Sequence, residues 1–580
     1  MLAASRLRAP RAHQSRGPPG RGPHGSARGW VAAAAGGSRC RHRVASQRER
    51  KSRLCRAGTP IALPRGVSAA SAALAPAKPT YVRRRPEATA LFRVVQDNLR
   101  TLYAAIEQGF ARPLPGFVRG ELERFVDCGV LARGFALLAC PDCGERLVVA
   151  FSCKGRGFCP SCAGRRMAST AADLVEHIIP PSAPLRQWVL TLPFKLRARL
   201  AYDGALSGAV CRAFVDAVLA FYRRRLGARG IKGGRGGAVT AVQRVSSDLR
   251  LNPHFHTLAL DGVFAESEDG ELTFHALPHL ANDDVADLLQ IARTRILALL
   301  RRKGVIVDDS VAADAKLADG EHALAGLAVA STLGSMPAGP ALRRREPVHL
   351  REQSALEPAR GLCAADRGFS LHAATTASAH DAAGREALCR YILRPPIAAE
   401  RVQLVGDDLV RLVLKRPFSD GAFAIDLDPL SLLCRLATAV PPPRFNTVRY
   451  GGVLAAASKW RPRIVPPLPP AEGGSDDDAC RTCTARKDKP ATHRSGYRPW
   501  AELLKRSFRI DVELCSECGG RLKMRALVIT AAGIRRYLRW LGEPSEPPIL
   551  APARDPPFFK SVAIRRRLGE PAQPELFDAH

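Results

Sequence analysis

The sequence predicts an α+β protein built on a largely antiparallel sheet with flanking helices, and three observations lead there. Segments of strand and helix character mix along the chain without the strict alternation of a parallel βαβ fold. No Walker phosphate loop or GxGxxG turn follows a strand, and no GxSxG elbow appears. Several of the sixteen cysteines fall in C-x-x-C pairs, which predicts a small zinc-bound element ahead of the sheet rather than a disulfide framework.

Composition bounds the rest. A chain of 580 residues exceeds what one core supports and implies two to four domains. A hydrophobic share of 46% excludes wholesale disorder, and the lack of any run of 18 apolar residues predicts no membrane span. The formal net charge of +34 calls for a polyanionic partner, nucleic acid or an anionic membrane surface. Residues 1–86 hold one acidic residue, Glu49, and carry roughly half of the surplus. Their Arg-, Ala-, Gly- and Pro-rich composition predicts a disordered basic arm over 1–80. It has a superficial likeness to an organelle transit peptide, but a loose arm or an over-extended translation start fits better.

The elements follow in order. "ALFRVVQDNLRTLYAAIEQGF" has the three- and four-residue apolar spacing of a helix, so 81–182 reads as a helical segment plus a zinc-binding domain. Within it Cys140 and Cys143 form one knuckle and Cys159 and Cys162 another, fifteen residues on. Four thiolates at that spacing predict one tetrahedral zinc in a ribbon. Cys128 and Cys153 lie nearby as buried thiols or substitute ligands. Lys154, Arg156, Arg165 and Arg166 crowd the same stretch and make it a candidate phosphate-contacting surface.

Residues 183–465 read as the main domain. Strands are expected at "RQWVLTLPFKL", "GGAVTAVQRVSS" and "NPHFHTLALDG", the last two as neighbours in one sheet. Helices are expected at "GAVCRAFVDAVLAFYRRRLG" and 283–304. Residues 305–365 are Ala/Gly-rich with little periodicity and read as an insertion. A strand resumes at 368–378, and the helix "GREALCRYILRPPI" ends at Pro395 and Pro396. Paired strands at "LVRLVLKRP" and "GAFAIDLDP" precede the helix "LSLLCRLATAV". Residues 466–497 are a linker by composition. Residues 498–545 read as C-terminal helices around the knuckle Cys515/Cys518, a candidate second zinc site with Cys480, Cys483 and His493, and 546–580 as a tail.

The chemistry centres on residues 252–262. Side chains alternate faces on a strand, so His254 and His256 point the same way, about 7 Å apart along it. Two such imidazoles can close on one divalent metal and draw charge off a phosphate oxygen. The helix further on carries Tyr391, whose hydroxyl can attack phosphorus and conserve bond energy for religation. Arg390 and Arg394 flank it and can favour the phenolate. A third ligand is not fixed by the sequence; Gln243 and His372 are the candidates. A basic surface, a zinc ribbon, the histidine pair and a tyrosine together match metal-assisted cleavage of a DNA phosphodiester.

At this point the chain resembles the HUH-type rolling-circle transposases of the insertion-sequence ninety-one family. The motifs are "FSCKGRGFCPSCAGRR", "QWVLTLP", "AVTAVQR", "NPHFHTLALDG", "GFSLHA", "LCRYILRPPIA", "LVLKRP", "VRYGGVLA" and "CSECGGRLK", in that order over residues 82–555. The resemblance implies an HUH-type sheet and a nickase and strand transferase acting on single-stranded transposon ends and target DNA. His254 and His256 would hold Mg²⁺ or Mn²⁺, Tyr391 would form a 5′-phosphotyrosine link, and structural Zn²⁺ would sit in the N-terminal domain. It also implies a cytoplasmic, nucleoid-associated bacterial protein without a membrane partner.

The chain departs from the family pattern twice. Ala387 and Pro395 stand one helical turn from Tyr391, which favours the single-tyrosine variants. Gly451 follows Tyr450 where a histidine is expected, as a decayed copy would show. A non-catalytic zinc-ribbon nucleic-acid-binding protein explains the charge and cysteines but gives the histidine strand and Tyr391 no task. A metal-dependent hydrolase needs further ligands, and the nearest, Asp261, falls on the opposite strand face. Oligomeric state and the recognised DNA sequences are left open by the sequence.

Overall fold

The computed structural model describes residues 81–109, 113–307, 310–311, 322–333, 361–405, 409–415, 417–418, 421–465, 498–554 and 564–567. The basic arm, the linker with Cys480, Cys483 and His493, and most of the tail lie outside the described residues.

The N-terminal helices α1 (Ala90–Gly109) and α2 (Gly116–Asp127) form where the periodicity predicts. Leu91, Val95, Leu102 and Ile106 recur on one face of α1 and are all buried. Strands β1 (Phe135–Ala139) and β2 (Arg146–Ala150) follow as an antiparallel hairpin, then helix α3 (Pro160–His177). The main sheet starts with β3 (Leu185–Thr191). Helix α4 (Gly204–Gly227) comes next; the Asp203 carboxylate caps it by accepting from the Leu206 amide at 2.8 Å.

Then come β4 (Gly237–Val245), β5 (Leu251–Leu260), α5 (Asn282–Arg302), β6 (Cys363–Asp366), β7 (Phe369–Ala377) and α6 (Ala382–Ile392). Helix α7 (Pro429–Ala439), strand β8 (Val448–Gly452), helix α8 (Trp500–Phe508), strand β9 (Lys523–Val528) and helix α9 (Ala531–Leu541) complete the elements used below.

Six of these strands make one sheet in the order β6-β7-β3-β5-β4-β8, every pairing antiparallel. The histidine strand β5 is therefore central. Trp188, Leu190, Phe255 and Ala259 on one face pack on α4 and α5 through Phe214, Phe221, Leu288 and Ile296. On the other face Leu185, Val239, Ala241 and Leu258 meet Ala171 and Leu174 of α3 and Leu388, Cys389 and Ile392 of α6. Arg385 docks α6: its buried guanidinium donates to the carbonyls of Ile179, Pro180 and Ala183 just beyond α3. A second antiparallel sheet joins Val402–Leu404, Val410–Val413, Ala422–Leu427 and Ile564–Arg567.

Two differences from the sequence reading stand out. The stretch read as an unpatterned insertion contains a helix, His322–Leu333, and the edge strand β6. The helix is apolar almost all round, with Ala323, Leu324, Leu327 and Ala328 buried, so it has no amphipathic period to detect. Helix α4 is long and apolar enough to cross a membrane by composition, and more than half of it is buried inside the fold.

Candidate functional site

His254 and His256 share a face of β5, and their ring centroids lie 4.8 Å apart. The Nδ1–H of His254 donates to its neighbour Asn252 O at 2.7 Å, which leaves Nε2 with its lone pair free. His256 Nδ1 meets the side-chain amide of Gln187 at 2.6 Å, and its Nε2 is buried without a partner. An unpartnered buried nitrogen is costly unless something occupies it. With the Gln187 amide turned to accept the Nδ1 proton, His256 Nε2 keeps a free lone pair as well. Burial pushes His254 down to about 4, against the backbone acceptor. Burial, with His254 and the Arg394 guanidinium, pushes His256 down to about 2. Both imidazoles are thus neutral near pH 7, as metal ligands must be.

Of the two candidate third ligands, Gln243 is the nearer. It pairs with His254 across β4 and β5, and its amide nitrogen donates to Ile392 O at 2.8 Å, leaving the amide oxygen to ligate. His372 lies two strands from β5, with Val189 between it and His256, and its Nε2 is 3.4 Å from Cys363 Sγ. Among the described residues no third histidine, cysteine or carboxylate stands within ligand reach of the pair. Asp261 is held by Arg186 at 2.8 and 2.9 Å and by the Tyr222 hydroxyl at 2.8 Å, so its carboxyl oxygens are committed to the fold.

Tyr391 occupies the last turn of α6, and its ring meets His256 edge-on at 5.9 Å. It is 43% exposed, so its ring is open to solvent. The Arg394 guanidinium stacks 4.3 Å over the ring, whereas Arg390 turns away to Glu386 at 2.6 Å and the Ser507 hydroxyl at 3.0 Å. Of the two flanking arginines only Arg394 is placed to act on the phenol. A cavity of about 390 Å³ opens here, lined by Gln243, His254, His372, Arg394 and Lys415. Arg156 and Arg166 line it too, while Lys154 and Arg165 do not. Burial, with Arg394 and Arg401 nearby, pushes Lys415 down to about 8.

The position after Tyr450 is a correction. Gly451 pairs with Ala238, on the face away from the histidines, and a Cβ there would sit 2.8 Å from Val215 Cγ1. A histidine at 451 has no path to the site.

The cysteines pair differently from the predicted ribbon. Cys159 and Cys162 join Cys128 and Cys153, with sulfurs 3.3 to 3.7 Å apart. Cys140 and Cys143 join Cys515 and Cys518, at 3.4 Å. A zinc ion with four bonds of about 2.3 Å sets sulfurs about 3.8 Å apart, so both sets fit it. The reason is geometric: Cys159 caps α3 and Cys162 lies in its first turn, facing α2, where Cys128 follows the last residue. Glu121 on α2 braces the loop after Cys153 by accepting from the amides of Arg156 at 2.8 Å and Gly157 at 3.2 Å. The hairpin β1–β2 meanwhile carries Cys140 and Cys143 toward β9.

The sequence does not single out Gln187, and it offers Cys128 and Cys153 only as buried thiols or substitute ligands, the second of which they are placed to be. Gln187 had a signal, since it lies one alternation from Val189 on the histidine face, but the strand order was needed to use it.

Two family models match the chain. One, described as "Transposase zinc-binding domain", covers residues 99–192, and one described as "Putative transposase" covers residues 237–461. No curated protein and no solved structure matches. The first match encloses the whole Cys128/Cys153/Cys159/Cys162 set and supports structural zinc; the second contains His254, His256 and Tyr391. The matched segments cover more than half of the chain, and it belongs to the insertion-sequence ninety-one family of transposases, DNA-processing enzymes, with a zinc-binding domain ahead of the transposase domain.

Proposed function

We propose that this transposase nicks single-stranded DNA at transposon ends and transfers the strand by a rolling-circle route, with Tyr391 as nucleophile. The observation that carries the reading is the juxtaposition of His254, His256 and Tyr391, with ring separations of 4.8 and 5.9 Å. His254, His256 and the Gln243 amide oxygen would hold Mg²⁺ or Mn²⁺, which when bound supplies positive charge at a non-bridging phosphate oxygen.

The chain's own groups do the rest. Arg394 stacks on the Tyr391 ring and stabilises the phenolate. The phenolate oxygen bonds to phosphorus, and the bond from phosphorus to the 3′ oxygen breaks. The released 3′ end takes up a proton, and the 5′ end stays on Tyr391 as a phosphotyrosine. Attack by another 3′ hydroxyl reverses the step, joins the strand and restores the phenol. Arg156 and Arg166 contact the backbone of the bound strand. One tyrosine suffices for one strand at a time, in keeping with Ala387 and Pro395 a turn either side.

Covalent capture tests this. Purified protein, single-stranded oligonucleotides carrying the element's ends and Mg²⁺ or Mn²⁺ are run on a denaturing gel. The expected adduct disappears with Tyr391→Phe and with His254→Ala/His256→Ala. DNA binding without an adduct in the unaltered protein would instead mark a binding module or a decayed copy.

A further inference from the structure

Cys515 and Cys518 lie outside both matched family segments, yet they complete a four-sulfur set with Cys140 and Cys143. The sulfur pairs Cys140/Cys518 and Cys143/Cys515 each lie 3.4 Å apart, across 378 and 372 residues of chain.

The two halves are built alike. In each, a glycine follows the second cysteine with positive φ, +80° at Gly144 and +75° at Gly519. Each of those glycine amides donates to the carbonyl of the first cysteine at 3.1 Å. The first cysteine's own amide donates 2.8 Å to a carbonyl just beyond, Glu145 in one half and Gly520 in the other. Two knuckles of one conformation, facing each other, are how a protein presents four thiolates to a tetrahedral ion. The strands on either side pair as well, β1 with β9, from Phe135↔Val528 to Ala139↔Lys523.

We propose that this is a second zinc site, shared between the two ends of the described chain, and that it secures the helix bearing Tyr391. The segment ahead of Cys515 includes α8, and α8 grips both helices that cover the histidine face. Arg506 pairs with Glu176 of α3 and with Glu386 of α6, the latter at 2.6 Å. Arg498 also pairs with Glu176, and Ser507 accepts from Arg390, next to Tyr391. Zinc holds one end of this strap, and the ion pairs hold α6 beneath it.

The test counts metal and reads backbone protection in the full-length protein, so it does not depend on nicking. Zinc per chain is measured by elemental analysis after dialysis. Cys515→Ser/Cys518→Ser should lose one zinc relative to the unaltered chain, and Cys140→Ser/Cys143→Ser should lose one as well. Combining all four changes should still lose only one, because both pairs serve a single ion. Loss of two in the combined variant, or of none in either pair, overturns the site. So does finding these four thiols unreactive and oxidised to disulfides.

Hydrogen exchange then reads the strap. Amides of Ala382–Ile392 should exchange faster in Cys515→Ser/Cys518→Ser, and also in Arg506→Ala, which should keep its full zinc complement. Unchanged exchange in α6 with the zinc lost would overturn the coupling to Tyr391 and leave a simple structural staple.

Discussion

The side-chain amide of Gln187 stands 2.6 Å from Nδ1 of His256, on the strand beside it, inside the core. The contact engages Nδ1 and leaves Nε2, buried without a partner, as the imidazole nitrogen with nothing bound to it. Such supporting contacts typically change metal affinity by about 10- to 100-fold. Gln187→Leu should therefore weaken Mn²⁺ binding by that factor with little change in fold. Calorimetric titration measures it; an unaltered affinity would mean the ring needs no such support.

Tyr391 is partly exposed at the end of its helix, so removing its hydroxyl leaves the packing intact. Tyr391→Phe should abolish the covalent adduct while the melting temperature stays within a degree or two, about the size of a small surface change. Arg394→Ala should keep the adduct but form it about tenfold more slowly, a loss of about 1.4 kcal/mol that suits one stacked cation. Quench-flow sampling on denaturing gels separates the two outcomes.

Gly451→His is expected to harm rather than repair. The new side chain would be driven into Val215 of α4, 2.8 Å from the first added atom. Overpacking of this kind costs about 1–3 kcal/mol. Urea unfolding should show that loss with no gain in adduct yield. Restored nicking would show that position 451 belongs to the site after all.

Asp248 orders the turn that leads into the histidine strand. Burial alone would raise its carboxyl, but the Arg250 guanidinium, the Ser246 hydroxyl and Arg435 outweigh it and hold the pKa below the usual carboxylate range. An unfolded aspartate titrates near about 3.9. The ionised group therefore contributes stability above about pH 4, and loses it as pH falls through the lower folded value. Asp248→Asn should cost about 1–3 kcal/mol at pH 7 and progressively less below pH 4. Denaturant curves at the two ends decide it, since an equal gap at both would remove the charge from the account.

The sheet was legible wherever burial writes a period into the sequence. Phe255 and Leu371 alternate with polar neighbours on their strands, and short connections account for the pairings of β4 with β5 and of β6 with β7, whereas β3 with β5, β3 with β7 and β4 with β8 join strands far apart in the chain. The histidine pair was legible for the same reason, because alternation alone puts both rings on one face. Cysteine spacing misled because metal ligands need proximity in space, and short sequence separation is only one route to it. Cys143 lies nearer Cys159 along the chain, but a hairpin turns it toward Cys515. Nothing local in "CSECGG" says that its partner knuckle is 372 residues upstream.

That separation has a consequence for synthesis. Ribosomes add about 5–20 residues per second, so Cys140 waits on the order of 20–75 s for the arrival of Cys518. Throughout that interval β1 has an open edge and two thiols lack their partners. The N-terminal domain can fold around its own cysteine set early, but its sheet closes only once nearly the whole chain has emerged. Assembly of the strap over Tyr391 is thereby a late event, after the histidine strand and the tyrosine helix have already been made.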